Sequence, residues 1–230
     1  MHALHSLIDQ LEASPHSLFN PWYEMDAEND RSEQAPAIRR EQLHTYLRQR
    51  VGRAKVLLIA EALGYQGGHF TGIAMTSERI LLGHQQEKYG VTPEMVFTDV
   101  EPQRTSKKSV NEKGMSEPTA TIVWGALARM KIDPYSVVLW NALPWHPWNP
   151  KKGLLSNRTP TNDELEAGHG LLRQFLELFP DATIVAVGRK CEQSLTELKI
   201  EHSAVRHPAN GGAPAFRKQL RALYRQPKTD

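Results

Sequence analysis

Three short segments of this 230-residue chain carry residue types at spacings that suit reaction chemistry. In residues 60–78 (AEALGYQGGHFTGIAMTSE), Glu61 directly follows an apolar run, and Gly64, Gly67, Gly68 and Gly72 permit a tight backbone path. A carboxylate placed there can orient or deprotonate a water and stabilise a cation, and free backbone amides can face a ligand. Phe70 sits between glycines, poorly placed for a core, where its ring can stack on a base. The competing explanation is a plain strand-to-helix turn with an incidental Glu and Phe; a phosphate-binding P-loop is excluded, because no Gly-Lys-Ser/Thr follows. In residues 139–150 (LWNALPWHPWNP), Asn141 ends an apolar run ahead of a loop rich in proline and tryptophan. Its amide offers one acceptor and two donors, enough to pair at two points with the edge of a pyrimidine, although a strand-end Asn can equally cap a turn. His146, between prolines, is a metal-ligand type with no second ligand at suitable spacing. In residues 205–220 (VRHPANGGAPAFRKQL), His207 is locked by Pro208 at the end of a weak strand and can donate to a developing anion. Arg206, Arg217, Lys218 and a helix N-terminus lie close by in sequence and can hold phosphates; the alternative is a His-Pro turn before a solvated basic helix.

Each segment falls at the end of a short apolar run with the pattern of a strand buried on both faces, Val56–Ala60, Ser136–Asn141 and, more weakly, Glu201–Val205; a fourth such run is Ala182–Val187. Helical patterns lie between them at Pro118–Met130, Asn162–Phe179 with Thr161 or Asn162 as N-cap, Arg189–Leu198 and Pro214–Tyr224. Alternating strands and helices predict an α/β domain, three layers α/β/α around a mostly parallel four-stranded sheet. Ligands of such sheets sit beyond the carboxyl ends of the strands, where all three segments fall. Ahead of the first strand the spacing predicts two packing helices, at Leu4–Leu11 and Arg39–Val51, separated by a polar loop containing Pro15, Pro21 and Pro36. Residues 1–230 read as one domain, with a helical, acidic N-terminal extension over 1–50 and a polar, mobile insertion over 103–114.

The composition, 40% hydrophobic and 23% charged, is that of a globular protein, and no apolar stretch is long enough to span a bilayer. The N-terminus lacks the basic, apolar and cleavage regions of a secretory signal, so a cytoplasmic location is expected. A single cysteine, Cys191, excludes an intramolecular disulfide framework and any four-cysteine zinc or iron–sulfur site. Residues 1–38 hold seven acids against Arg31 alone, so the formal net charge of +2 conceals a basic body suited to a polyanion.

Taken together and in order, the three segments resemble the motifs of the uracil-DNA glycosylase superfamily, most nearly its thermostable, family-four type, over roughly residues 55–225. That family's Gly-Glu-Ala-Pro-Gly and Gly-x-Pro-Phe-x-Gly correspond to Ala60–Gly64 and Gly68–Gly72. Its Asn before a proline loop corresponds to Asn141–Pro144, and its His-Pro-Ser or His-Pro-Ala to His207–Ala209. Here Leu63 and His69 replace prolines, and the cluster cysteines are missing. The resemblance implies a monofunctional DNA glycosylase, without a cofactor or metal and acting as a monomer, that hydrolyses the N-glycosidic bond of uracil or a related deaminated base. Glu61 would serve the sugar side and His207 the departing base. Ala62, Gly64, Phe70 and Asn141 would bind that base, and Arg206, Asn210, Arg217 and Lys218 the DNA. A non-catalytic nucleic-acid-binding protein on the same fold and an unrelated nucleotide-binding α/β protein are the alternatives.

Overall fold

The computed structural model describes residues 2–225. In chain order its elements are α1 (His2–Gln10), α2 (Ala35–Arg48), β1 (Val56–Ala62), α3 (Gly68–Thr71), α4 (Glu78–Leu81), α5 (Gln86–Tyr89), α6 (Pro118–Arg129), β2 (Val137–Leu143), α7 (Asn162–Glu177), β3 (Thr183–Val187), α8 (Arg189–Glu197), β4 (Ser203–Val205) and α9 (Ala213–Leu223). The four strands form an all-parallel sheet in the order β2-β1-β3-β4, covered by helices as three layers α/β/α. The order turns back around β1, and open parallel sheets take their ligands at such a point. The register sets Ile59 beside Trp140 and Ala186, Ala60 beside Asn141, and Val187 beside Val205. The carboxyl ends of all four strands therefore lie along one edge.

Local chemistry accounts for the boundaries. Helix α7 begins in a capping box, in which Thr161 Oγ1 accepts from Glu164 N and the Glu164 carboxylate accepts from Thr161 N. Gly168 lets α7 lie against β2, since a Cβ there would stand 2.8 Å from the Ala142 carbonyl oxygen. Helix α2 starts at Ala35, four residues before the expected Arg39, because Pro36 sits within its first turn, where its missing N–H costs nothing. On the outer edge of β2, the Leu139 N–H donates to the Tyr46 hydroxyl at 2.7 Å, and the buried Arg50 guanidinium donates to the carbonyls of Val137, Tyr46, Val96, Met95 and Pro134. These bonds satisfy groups that an exposed strand edge would leave open. Among the described residues, no helix is long and apolar enough to cross a membrane.

Two segments are tied into the fold by contacts from distant parts of the chain. The 103–114 segment, expected as a polar, mobile insertion, has partners for much of its backbone. The Glu78 carboxylate accepts from the backbone N–H groups of Thr105, Ser106 and Met115 at 2.8, 2.9 and 3.0 Å, and Arg104 donates to the carbonyls of Ser106, Lys107, Asn111 and Glu112. The segment also pairs with the N-terminal loop through Arg31 N to Thr105 O and Lys107 N to Asn29 O, both 2.7 Å. The N-terminal residues, for their part, are woven into the core: Leu4, Leu7, Leu11, Trp22, Leu43, Tyr46 and Leu47 are all buried in the main apolar cluster. Two of the seven acids of this region are buried, with Asp30 bonded to Arg39 at 2.7 Å and Asp26 to His69 at 3.0 Å.

Candidate active site

Glu61 occupies the last turn of pleat in β1, half-buried at the carboxyl edge of the sheet. Burial raises its carboxyl above the ordinary value, and the Lys190 charge at the start of α8 works against that shift. At the neighbouring strand end, Asn141 is 2% exposed and its Oδ1 is buried with no hydrogen-bond partner. A buried amide oxygen left unpaired costs free energy, so this atom is set to accept from a donor supplied by something else. Asn141 helps line a small crevice with Trp22, Leu63, Ala74, Trp140 and Pro144, too narrow to admit a water molecule.

His207 follows β4, two strands from β1. Its Nδ1 accepts from Ala209 N at 3.1 Å, which fixes the tautomer of the neutral ring and leaves the hydrogen on Nε2. Burial and the adjacent Arg206 charge lower its pKa, so the ring is neutral at pH 7. The loop conformation depends on glycine at two places. A Cβ at Gly188 (φ +94°) would approach His207 Cβ to 3.0 Å, and one at Gly212 would stand 2.0 Å from the His207 carbonyl oxygen. Asn210 adopts a left-handed φ of 52°. Arg206, Asn210 and Lys218 are exposed, and Arg217 is half-buried with an unpartnered Nε.

The structure thus brings Glu61, Ala62, Asn141 and His207 to one edge of the sheet. It does not bring Phe70 to the crevice. Phe70 is fully buried in α3, its ring tilted against His69 at 4.3 Å and its carbonyl bonded by Thr105 Oγ1. The expectation that an aromatic between glycines suits a core poorly fails here: the ring is packed against His69, and Thr105 of the 103–114 segment bonds its carbonyl. Ala62 and Gly64 are half-buried and likewise lie outside the crevice lining.

Three features had no signal in the sequence. Trp22 forms a wall of the crevice, clamped by Nε1–H donation to Gly72 O at 3.2 Å. Glu117, at the N-terminus of α6, turns a buried, unpartnered Oε2 onto the first-segment loop, and burial lifts its carboxyl to about 7. A Cβ at Gly67 would sit 1.8 Å from Oε2, so any larger residue there would displace that carboxyl. The third is a buried chain of polar groups, Asp26–His69–His146–Ser156 O, running beneath both loops.

The model of the uracil DNA glycosylase superfamily matches residues 50–225 of the chain. The chain belongs to the uracil-DNA glycosylase superfamily. Among solved structures, this glycosylase-family chain is similar to the wild-type SMUG2 protein of Pedobacter heparinus, with a TM-score of 0.57 and 12% identity, covering 97% of this chain and 99% of that one. At that identity the likeness is one of fold. No curated protein sequence is significantly similar to this superfamily member. The family match begins at residue 50, so Trp22 and Asp26 come from a region outside it.

Proposed function

We propose that the protein is a DNA repair glycosylase that hydrolyses the N-glycosidic bond of uracil, or of a closely related deaminated base, and leaves an abasic site. The observation that carries this reading is the orphaned Asn141 Oδ1 at the end of β2. A flipped uracil presents N3–H beside O4, so that one amide can accept from the first and donate to the second. With the amide held in that orientation, cytosine would set its unprotonated N3 against Oδ1, acceptor against acceptor.

The departing pyrimidine carries negative charge and the sugar becomes oxocarbenium-like, so charge must be stabilised at both places. His207 Nε2–H is the donor suited to O2 of the leaving base, and being neutral it need not surrender a proton to do so. Glu61 serves the sugar side: its carboxylate orients the attacking water and takes up its proton as the new C1′–O bond forms. A carboxyl raised by burial is the stronger base for that step, while Lys190 helps to keep it ionised. Arg206 and Lys218 are exposed cations that, with Arg217, would meet phosphates, and the exposed Asn210 would meet the strand beside the flipped base.

The narrowness of the crevice favours one second reading, a family member that binds DNA without efficient excision, because Leu63 and Trp22 must yield before a base can enter. Single-turnover excision from oligonucleotides containing uracil, cytosine or thymine separates the two. The glycosylase reading expects release of uracil by the wild type and loss of uracil-over-cytosine preference in Asn141→Ala, since an unpaired buried site no longer rejects the wrong base. Tight binding of uracil DNA with no released base would support the second reading.

A further inference from the structure

Asp26, His69 and His146 are 1%, 0% and 0% exposed and are joined end to end. Asp26 Oδ2 lies 3.0 Å from His69 Nε2, His69 Nδ1 lies 3.2 Å from His146 Nδ1, and His146 Nε2 lies 2.8 Å from the Ser156 carbonyl oxygen. An ionised carboxylate and a carbonyl can only accept, so each end of the chain needs a hydrogen from an imidazole. A neutral imidazole carries one N–H. Two neutral rings therefore supply two hydrogens to three contacts, and with both Nε2 hydrogens committed outward, two Nδ1 lone pairs face each other.

We propose that one further proton is held between His69 Nδ1 and His146 Nδ1, and that the chain so closed positions α3, where Phe70 lies, and the loop that follows Asn141 and β2. With this proton His69 donates to Asp26 and to His146, His146 donates to Ser156 O, and every polar atom along the chain is paired. Burial lowers both imidazoles, His146 to about 3, and the charge rests on His69 because it alone is hydrogen-bonded to a carboxylate, Asp26, which works against that shift. The Asp26 carboxylate, itself bonded by Asn29 Nδ2, balances it. The remaining charged groups that face His69 are Arg39 of α2, which repels the proton, and Asp30, which attracts it and is paired with Arg39 at 2.7 Å. Asn157 is a further polar neighbour of His146, and the Phe19 ring stacks on His69 at 4.4 Å.

The chain ties three segments together. Asp26 lies in the N-terminal loop, His69 precedes Phe70 in α3, and His146 lies five residues beyond Asn141 and pairs through its backbone with Phe19, N–H to carbonyl in both directions at 3.0 Å. Loss of the proton as pH rises sets the two lone pairs against each other and drives these segments apart. That this loosens base binding rests on the function proposed above; the proton count does not.

The test uses the full chain labelled with 15N-histidine. At neutral pH the wild type should show one imidazole with both nitrogens protonated, assigned by its absence in His69→Gln. In Asp26→Asn the amide can donate to His69 Nε2, so two neutral rings satisfy all three contacts and the doubly protonated signal should vanish without loss of the fold. Wild-type thermal stability should fall as pH rises through the loss of that signal, and Asp26→Asn should not follow. In excision, kcat/KM of the wild type should fall about tenfold per pH unit above that point, mainly through KM, as expected for one required proton, while Asp26→Asn keeps its activity without this limb. Neutral rings at both positions in the wild type at pH 7, with Asp26 ionised, would overturn the proposal, as would an unchanged alkaline profile in Asp26→Asn. If the wild type excises nothing, the glycosylase reading fails while the resonances and melting curves still decide the chain.

Discussion

At the scale of single residues, the site pairs two groups whose surroundings push their protonation in opposite directions. Burial raises the Glu61 carboxyl and lowers the His207 imidazole, so there is a pH range in which the first is ionised and the second neutral. Activity should therefore be lost on the acid side as Glu61 takes up its proton, at a pH above the ordinary carboxylate value. A Glu61→Gln variant should bind uracil DNA nearly as well as the wild type, excise more slowly by about 10²-fold or more, and lose that acid limb in a pH–rate profile. Both groups and Asn141 were legible in the sequence, because a polar residue directly after a continuous apolar run must emerge at a strand end. Phe70 was legible as an aromatic in a glycine loop, but its burial was not, because a residue that bonds it, Thr105, is thirty-five positions away in the chain.

At the scale of elements, strands and long helices follow from their apolar patterns, and the structure moves their ends by only a few residues. The loops follow from contacts that no local pattern encodes. Gly67 reads as generic backbone freedom, yet its constraint is the Glu117 carboxyl from the start of α6, fifty residues later. Gly67→Ala should cost about 1–3 kcal/mol as an overpacked site. Most of that loss should be recovered in Gly67→Ala/Glu117→Ala, a coupling that a double-mutant cycle by chemical denaturation would measure. Additive losses would place the origin of the Gly67 requirement elsewhere. The polar insertion teaches the same lesson: its hydrophilic composition suggested mobility, but Glu78 and Arg104 supply partners for its backbone, and a polar segment with satisfied backbone groups can be fixed as firmly as an apolar one.

At the scale of the whole molecule, a superfamily domain starting near residue 50 shares its core and its crevice with the residues before it. The fold class was legible because parallel strands alternate with helices in sequence. The contribution of the N-terminal segment was not, since Trp22 and Asp26 act through partners, Gly72 and His69, that are distant in the chain. Stability against pH carries the signature of two carboxyls. Glu164, bonded by Arg158, is held at about 2 against an ordinary 4.5, so its contribution is present above 4.5 and lost as pH falls toward 2. Glu117, lifted to about 7, binds its proton more tightly in the folded state, so its contribution is present below 4.5 and lost as pH rises toward 7. Glu117→Gln should therefore raise the melting temperature at pH 8 relative to the wild type more than it does at pH 5. The central claim, that this sheet edge breaks an N-glycosidic bond, is tested most directly by incubating the protein with uracil-containing DNA, single-stranded and paired with G or A, and quantifying free uracil and alkali-labile abasic sites together. Equal amounts of both products from the wild type, with the rate reduced at least about a hundredfold in Glu61→Gln and in His207→Ala, is the predicted result. Release of uracil at an unchanged rate by both variants would contradict the account.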